Sequence, residues 1–514
     1  MRLKNILISI LLSGFFYHNL NTMAEELSMP GIFTDHMVLQ RNQPVQVWGQ
    51  ATPGDHITVQ FAGQNSTCVT NKKGQWKLKL KPMNACSVPG VLTVSGNSGQ
   101  KKIKDVVVGD VWLCSGQSNM NWMLIRSQNG REALKKADYP NIRIFAVKER
   151  KSGIPSQYLP EKWLPCTPNT VKYFSAVAFY FGRELHKELN VPVGLIKSAW
   201  NGTRIEPWTP ACGFENDPKL TKIKKQIADA NANYQKDLKS RLPNIAKWLQ
   251  RAENADKSNR PIELPADLLP PHPLDERYFP TGIYNAMINP IVHYAIRGII
   301  WHQGESNVIA CDGMLYANKM KALINGWRKV WELPELPFYF VQIAPYTNYK
   351  PGELPKLWEA QYAVADEVKN CNLVSIVDIA NIKNIHPLSK EPVGKRLAFL
   401  ALSETCGKKI PGGKCPRFAG MRQKGETLII NFTDLDDNLK TSDGKPAGEF
   451  MTAEKNGNFY PAQAEIKGRE IILRSDKVKK PFAVKYSWHK TAQPNLMSGS
   501  GLPVMPFKAS LQEK

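Results

Sequence analysis

Between Gly31 and Asp105 apolar and polar residues alternate in short runs, Val45-Gln46-Val47-Trp48-Gly49, Ile57-Thr58-Val59-Gln60-Phe61 and Trp76-Lys77-Leu78-Lys79-Leu80, set apart by the turn pairs Pro53-Gly54 and Lys73-Gly74. A period of two places every second side chain on one face, which predicts an antiparallel β-sandwich with its other face in water. Beyond Asp105 the rhythm changes. Continuous apolar runs at residues 106–114, 142–147, 193–198, 298–301, 338–343 and 373–378 alternate with helical patterns at 175–189, 315–331 and 354–368, the first opened by Ser175 as N-cap. Strands without alternation are buried on both faces, so this region predicts a parallel sheet covered by helices on either side, with ligands beyond the carboxyl ends of its strands. Residues 216–255 are polar and helix-forming and lead into a proline-rich stretch at 261–273, which reads as an insertion over the core at about 213–278. From about Gly425 β signals return, among them Leu428-Ile429-Ile430-Asn431-Phe432 and Ile471-Ile472-Leu473, with turns at Asp443-Gly444 and Asn456-Gly457. The predicted organisation is a sandwich at 25–105, an α/β domain at 106–405 and a β region at 406–514.

The first residues depart from this pattern. Arg2 and Lys4 precede an apolar run at residues 6–16, followed by a polar stretch ending Asn21-Thr22-Met23-Ala24 before Glu25-Glu26. This is the layout of an export signal, and residues 1–24 are set aside from the fold. The run is about half the length of a membrane-spanning helix and no later stretch approaches roughly 20 apolar residues, so a periplasmic or secreted protein without a membrane span is expected. No cysteine lies near the expected cleavage point, so a lipid-anchored form is not expected.

Nine cysteines are an odd number for an oxidising compartment, so at least one thiol is expected to stay free or to pair between chains. Cys114, at the end of a buried strand, is the candidate. Cys406 with Cys415, and Cys68 with Cys86, are near enough in sequence to bridge, although spacing does not set connectivity. No Cys-x-x-Cys or His-x-x-x-His spacing occurs, so neither a metal nor another cofactor is expected. The formal charge is +23, of which Arg2 and Lys4 carry two. Lysine and arginine are scattered, densest at 219–251, without interleaved aromatics, which speaks against nucleic acid as a partner and leaves attraction of anionic glycans.

Four segments carry chemistry. The strand that begins at Gly109 runs through Cys114 into Ser115-Gly116-Gln117-Ser118-Asn119-Met120. Glycine permits a tight turn there, and a serine at such a strand end presents its hydroxyl at the sheet edge, where its own backbone N–H can help to hold an oxyanion. Ser118 fits that place and Ser115 lies one turn too early. Trp301-His302-Gln303-Gly304-Glu305-Ser306-Asn307 crowds polar residues at the end of another apolar strand, with Gln303 as an oxyanion donor and Glu305 as a carboxylate to orient a base. Trp200-Asn201-Gly202-Thr203-Arg204-Ile205-Glu206-Pro207-Trp208 follows a third strand and offers the Gly202 N–H as a second oxyanion donor. Asn119, Arg204 and Trp208 are the substrate-binding candidates, with the two tryptophans read equally well as core. A serine hydroxyl is a weak nucleophile that needs a neighbouring imidazole. Of nine histidines, His386 in Asn384-Ile385-His386-Pro387 sits at a late strand end with a helix following.

Taken together, residues 29–508 resemble the sialate O-acetylesterase family, serine esterases with a flavodoxin-like core of the SGNH-hydrolase type. The matching pieces are Met37-Val38-Leu39-Gln40-Arg41, Gly116 to Met120, Gly202-Thr203 with Ile205-Glu206, Tyr284-Asn285-Ala286-Met287-Ile288, Trp301 to Asn307, Ile385-His386-Pro387, Asn495-Leu496 and Gly501-Leu502-Pro503. The resemblance implies a carboxylic ester hydrolase that removes acetyl groups from O-acetylated sialic acids without a cofactor, with Ser118 as nucleophile and His386 as base. Acetylated xylan or another acetylated polysaccharide is the alternative substrate, and a catalytically silent glycan-binding protein is the reading from another class. One departure stands out: relatives commonly carry aspartates just before the Ile-His-Pro segment, whereas here Asn381 and Asn384 occupy those places and no carboxylate lies between Asp378 and Glu391. Glu305 is therefore the first choice for the acid that orients His386, since some related acetylesterases use a glutamate from this segment, Asp378 the second, and a Ser-His dyad assisted by Asn384 the third.

Overall fold

The computed structural model describes residues 26–265 and 268–512, so the expected export signal lies outside the described residues. Contacts divide the chain into two compact units. In the first, made of residues up to 29 with 47–80 and 92–102, His56–Phe61 and Gln64–Val69 pair antiparallel from His56 with Val69 to Phe61 with Gln64. Ile57, Val59, Phe61, Trp76, Leu78, Leu80 and Val94 are buried while their neighbours along each strand are not, which is the alternation the sequence carries. Asp55 ties this unit's loops, accepting from the Ser98 hydroxyl at 2.6 Å and the Asn97 amide at 2.8 Å.

The second unit holds residues 30–46, 81–91 and 103–514. Its central sheet runs Cys371–Val374, Phe338–Val341, Gly298–His302, Gly99–Gly116, Val193–Ala199, Tyr139–Ala146, Trp163–Cys166, and every adjacent pair is parallel except the last. Without the two strands beyond Val193–Ala199, the order is the 2-1-3-4-5 of flavodoxin-like folds, whose switch point lies between Gly99–Gly116 and Gly298–His302. The sequence pattern assigned residues 25–105 to a sandwich, yet Val38–Gln40 pairs in parallel with Val107 to Gly109. A three-residue strand with its partner some 70 positions away leaves no periodic signal.

The two faces of the sheet follow from its register. Trp112, Cys114, Ile300 and Tyr339 share one face and pack with residues of Ala176–Leu189 and Lys390–Glu404. Those two helices cross at Gly394, where a methyl group would stand 2.8 Å from the Val177 carbonyl. Trp301 and Phe338 point to the other face, where Trp301 meets the edge of Trp327 from the helix Leu315–Trp331 at 5.8 Å. The expected insertion is a 37-residue helix, Thr221–Lys257, whose buried Ile227 and Ala230 join Phe214, Leu220, Leu274 and Ala322 in a cluster apart from the main core. The terminal β region builds a core of its own around Leu428, Ile430, Ile471, Phe450 and Tyr486. It is tied to the helix Glu353–Glu367 by Tyr362, whose hydroxyl donates to the Pro506 carbonyl at 2.7 Å.

All nine cysteines are free thiols, so neither short-range pair forms a bridge. Cys114 is buried as expected, and burial pushes the Cys415 thiol up to about 11. Among the described residues no helix is long and apolar enough to cross a membrane.

Candidate active site

The strand Gly99–Gly116 ends in a turn that only glycine can make, since Gly116 has φ +142° and a Cβ there would fall 2.2 Å from the His302 carbonyl oxygen. The same carbonyl accepts the Gln117 amide at 3.0 Å, which locks the turn to the neighbouring strand end. Ser118 then opens the short helix Ser118–Asn121. From the far side, the turn before the helix Lys390–Glu404 is shaped by Asn381 and Asn384: the Asn384 amide donates to the Asn381 carbonyl at 2.8 Å, and Asn384 Oδ1 accepts the His386 amide at 2.9 Å. Ser118 Oγ and His386 Nε2 come together at 2.8 Å. With Nε2 accepting the hydroxyl proton, the neutral imidazole carries its own proton on Nδ1. The Trp122 indole stacks on the imidazole with ring centres 5.2 Å apart, and burial together with the positive charge of Lys390 holds His386 below its ordinary value. The imidazole is thus a neutral proton acceptor near pH 7.

None of the three candidate orienting groups is hydrogen-bonded to the imidazole. Glu305 is fully buried, and its Oε1 accepts from Asn119 Nδ2 at 2.5 Å. Asp378 is held bidentately by Arg396 at 2.7 and 2.6 Å, with the same guanidinium donating to the Ser375 carbonyl at 2.8 Å. Asn384 spends its oxygen on backbone. Among the described residues no carboxylate bonds to His386; Ser118 and His386 stand as a hydrogen-bonded pair, the ring stacked on Trp122 and the backbone amide held by Asn384.

Glu305 has a different place. Asn119, fully buried, donates through one amide nitrogen to Glu305 and to the Ile385 carbonyl at 3.1 Å, and its oxygen accepts from Lys390 Nζ at 2.5 Å. Asn119 therefore clamps the nucleophile turn to the His386 loop, and the expectation that it binds substrate is corrected by its lack of any exposed surface. Burial raises Glu305 and lowers Lys390 to about 7. His302 is buried with neither ring nitrogen hydrogen-bonded and its Nε2 3.9 Å from Glu305 Oε1, and it is held well below its ordinary value first by burial and then by Lys390 and His386.

Lys390 makes stability depend on pH. In the unfolded chain it returns to an ordinary value of 10.5, so between about 7 and 10.5 the unfolded state binds the extra proton and stability rises with pH. The penalty is whole below about 7 and gone above 10.5. The urea midpoint of the wild type is expected to climb between about pH 7 and 9, and that climb should vanish in the double variant Lys390→Met with Glu305→Gln. An unchanged climb would mean that the buried lysine is not its source.

The Gly202 loop supplies the other side. Trp200 donates its amide to the Gly116 carbonyl at 3.2 Å, and Asn121 Nδ2 donates to Asn201 Oδ1 at 3.1 Å, which seats the loop beside Ser118. Gly202 has φ +69°, and among the described residues neither its amide nor that of Ser118 is spent on another carbonyl. These two N–H groups are left for an oxyanion. Gln303 is not a third: its amide donates to the Thr203 carbonyl at 3.1 Å and to Asn307 Oδ1 at 2.6 Å. It braces the loop, as does Asn307, which also accepts the Ile205 amide and donates to Asp312 and Glu206, both ligated by Lys319 at 2.7 Å. Trp208 is wholly buried with its indole N–H on Thr203 Oγ1 at 3.0 Å, so it is core and not a sugar platform. Arg204 lies 4.0 Å from Glu206 at the surface. Sequence reasoning missed Trp122, Lys390 and the clamp at Asn119; for Lys390 the available sign was a lysine opening a largely buried helix four residues after the histidine.

Comparison with known proteins finds carbohydrate esterases. Residues 274–403 match the model of a carbohydrate esterase family described as sialic acid-specific acetylesterase. The chain is 26% identical to the sialate O-acetylesterase of Mus musculus over 93% of its length and 94% of that protein, and 27% identical to that of Homo sapiens over 93% and 91%. Among solved structures, a carbohydrate acetylesterase from Xanthomonas citri is 30% identical and superposes with a TM-score of 0.78, covering 95% of this chain and all of that one.

Proposed function

Since the chain belongs to the sialate O-acetylesterase family, we propose that it is a carboxylic ester hydrolase that removes acetyl groups from O-acetylated sialic acids through an acyl-enzyme on Ser118. The observation that carries this reading is the 2.8 Å contact between Ser118 Oγ and His386 Nε2 at the carboxyl edge of the parallel sheet. Ser118 Oγ attacks the acetyl carbonyl while His386 Nε2 takes its proton, and the oxyanion that forms is met by the Ser118 and Gly202 amides. As the tetrahedral species collapses, the imidazolium returns the proton to the departing sugar oxygen. Water then repeats the sequence, and acetate leaves.

The charge that a triad aspartate would supply to the imidazolium is missing, and Lys390, a cation only below about 7, stands nearby instead. Fixed orientation by Trp122 and by the Asn384 turn recovers the geometric share of that role, not the electrostatic share. Acetate release from an O-acetylated sialic acid, measured beside acetylated xylan, tests the substrate. The sialate ester is expected to be cleaved with at least roughly tenfold higher kcat/KM. Faster cleavage of xylan would replace the proposed substrate while leaving the dyad in place.

A further inference from the structure

A sialic acid differs from a neutral sugar chiefly by its carboxylate, and the residue expected from sequence to meet it, Arg204, faces Glu206. Another guanidinium is better placed. Arg277 lies over the Trp200 ring at 5.2 Å and over the Tyr278 ring at 5.1 Å, and its Nη2 stands 3.1 Å from where a Gly202 Cβ would be. Its acidic chain neighbours, Asp275 and Glu276, face Lys151 at 4.0 and 3.8 Å. Among the described residues no carboxylate pairs with Arg277, and its Nε is buried without a partner.

An arginine held only by aromatic faces keeps its hydrogen-bonding edge free, since cation–π contact engages the plane and leaves the N–H groups at the rim. That rim borders the Gly202 loop, which the Trp200 and Asn201 contacts fasten to the nucleophile turn. Building on the sialate reading above, we infer that Arg277 is the carboxylate-binding residue of the substrate pocket, pairing bidentately with the acidic group of the sugar while the acetyl ester lies at Ser118. Trp200 and Tyr278 fix the guanidinium in place, so little side-chain freedom is lost when the pair forms. Any substitution at Gly202 would crowd this arginine as well as strain the backbone.

The test compares wild type with Arg277→Met and Arg277→Lys on three acetyl esters: an O-acetylated sialic acid, the same sugar with its carboxyl group methylated, and 4-nitrophenyl acetate. In Arg277→Met the KM for the free acid is expected to rise roughly 30-fold with kcat within about threefold, the size of a lost charge-assisted pair. Arg277→Lys should recover part of that loss, because lysine keeps the charge without the fork. The methyl ester should already be a poor substrate for wild type, and neither it nor 4-nitrophenyl acetate should respond to the variants. A wild type that cleaves the free acid while Arg277→Met shows the same KM overturns the subsite alone. A wild type that cleaves 4-nitrophenyl acetate and the methyl ester as well as the free acid overturns the sialate reading, and the subsite with it.

Discussion

Ser118→Ala is expected to abolish acetate release from 4-nitrophenyl acetate, lowering kcat by at least about 10⁴-fold with no change in thermal midpoint. The hydroxyl is half-buried and bonds to His386, so its removal leaves no buried group unsatisfied. His386→Ala should cost nearly as much, and the double variant should cost no more than either, because a nucleophile and its base act as one unit. Residual activity above a hundredth of wild type in folded Ser118→Ala would place the nucleophile elsewhere.

The second large effect falls on stability. Asp378→Asn is expected to lower unfolding free energy by roughly 3–5 kcal/mol, since it leaves the buried Arg396 without its bidentate partner. Turnover of the folded fraction should stay within about tenfold of wild type, as Asp378 has no bond to His386. Glu305→Gln should likewise keep turnover within about tenfold, because a glutamine oxygen still accepts from Asn119 and the clamp on the Ile385 carbonyl survives. A hundredfold loss in folded Glu305→Gln would restore Glu305 as the orienting acid.

What could be read from the sequence was whatever is encoded over short range. The doubly buried strands announce themselves as unbroken apolar runs; Ser118 stands just past the end of one, and His386 in the turn that leads from another, Cys371–Val374, into the helix Lys390–Glu404. The loops between were legible as crowded polar segments but not as to direction. Gln303, Glu305 and Asn119 each look like groups facing a ligand, and each is turned inward to hold a neighbouring loop, a choice made by the pleat of the strand and the start of the next helix. Trp208 and Arg277 show the same uncertainty reversed, one buried and one presented, with nothing in their flanking residues to tell them apart. The absent acid beside His386 was visible as Asn381 and Asn384; that nothing replaces it was not, because a substitute from anywhere in the chain would have served.

The separate cluster under the helix Thr221–Lys257 has a consequence for how such a molecule diversifies. The chemistry is anchored at strand ends inside the main core, whereas Arg277 rides at the end of an insertion whose small cluster leans on the helix Leu315–Trp331 through Ala322. Selectivity and reactivity are thereby inherited on different stretches of chain. Drift or exchange in the insertion can retune which acetylated sugar is accepted without disturbing the dyad, so close copies of this core with unlike insertions are expected to share a reaction and divide its substrates.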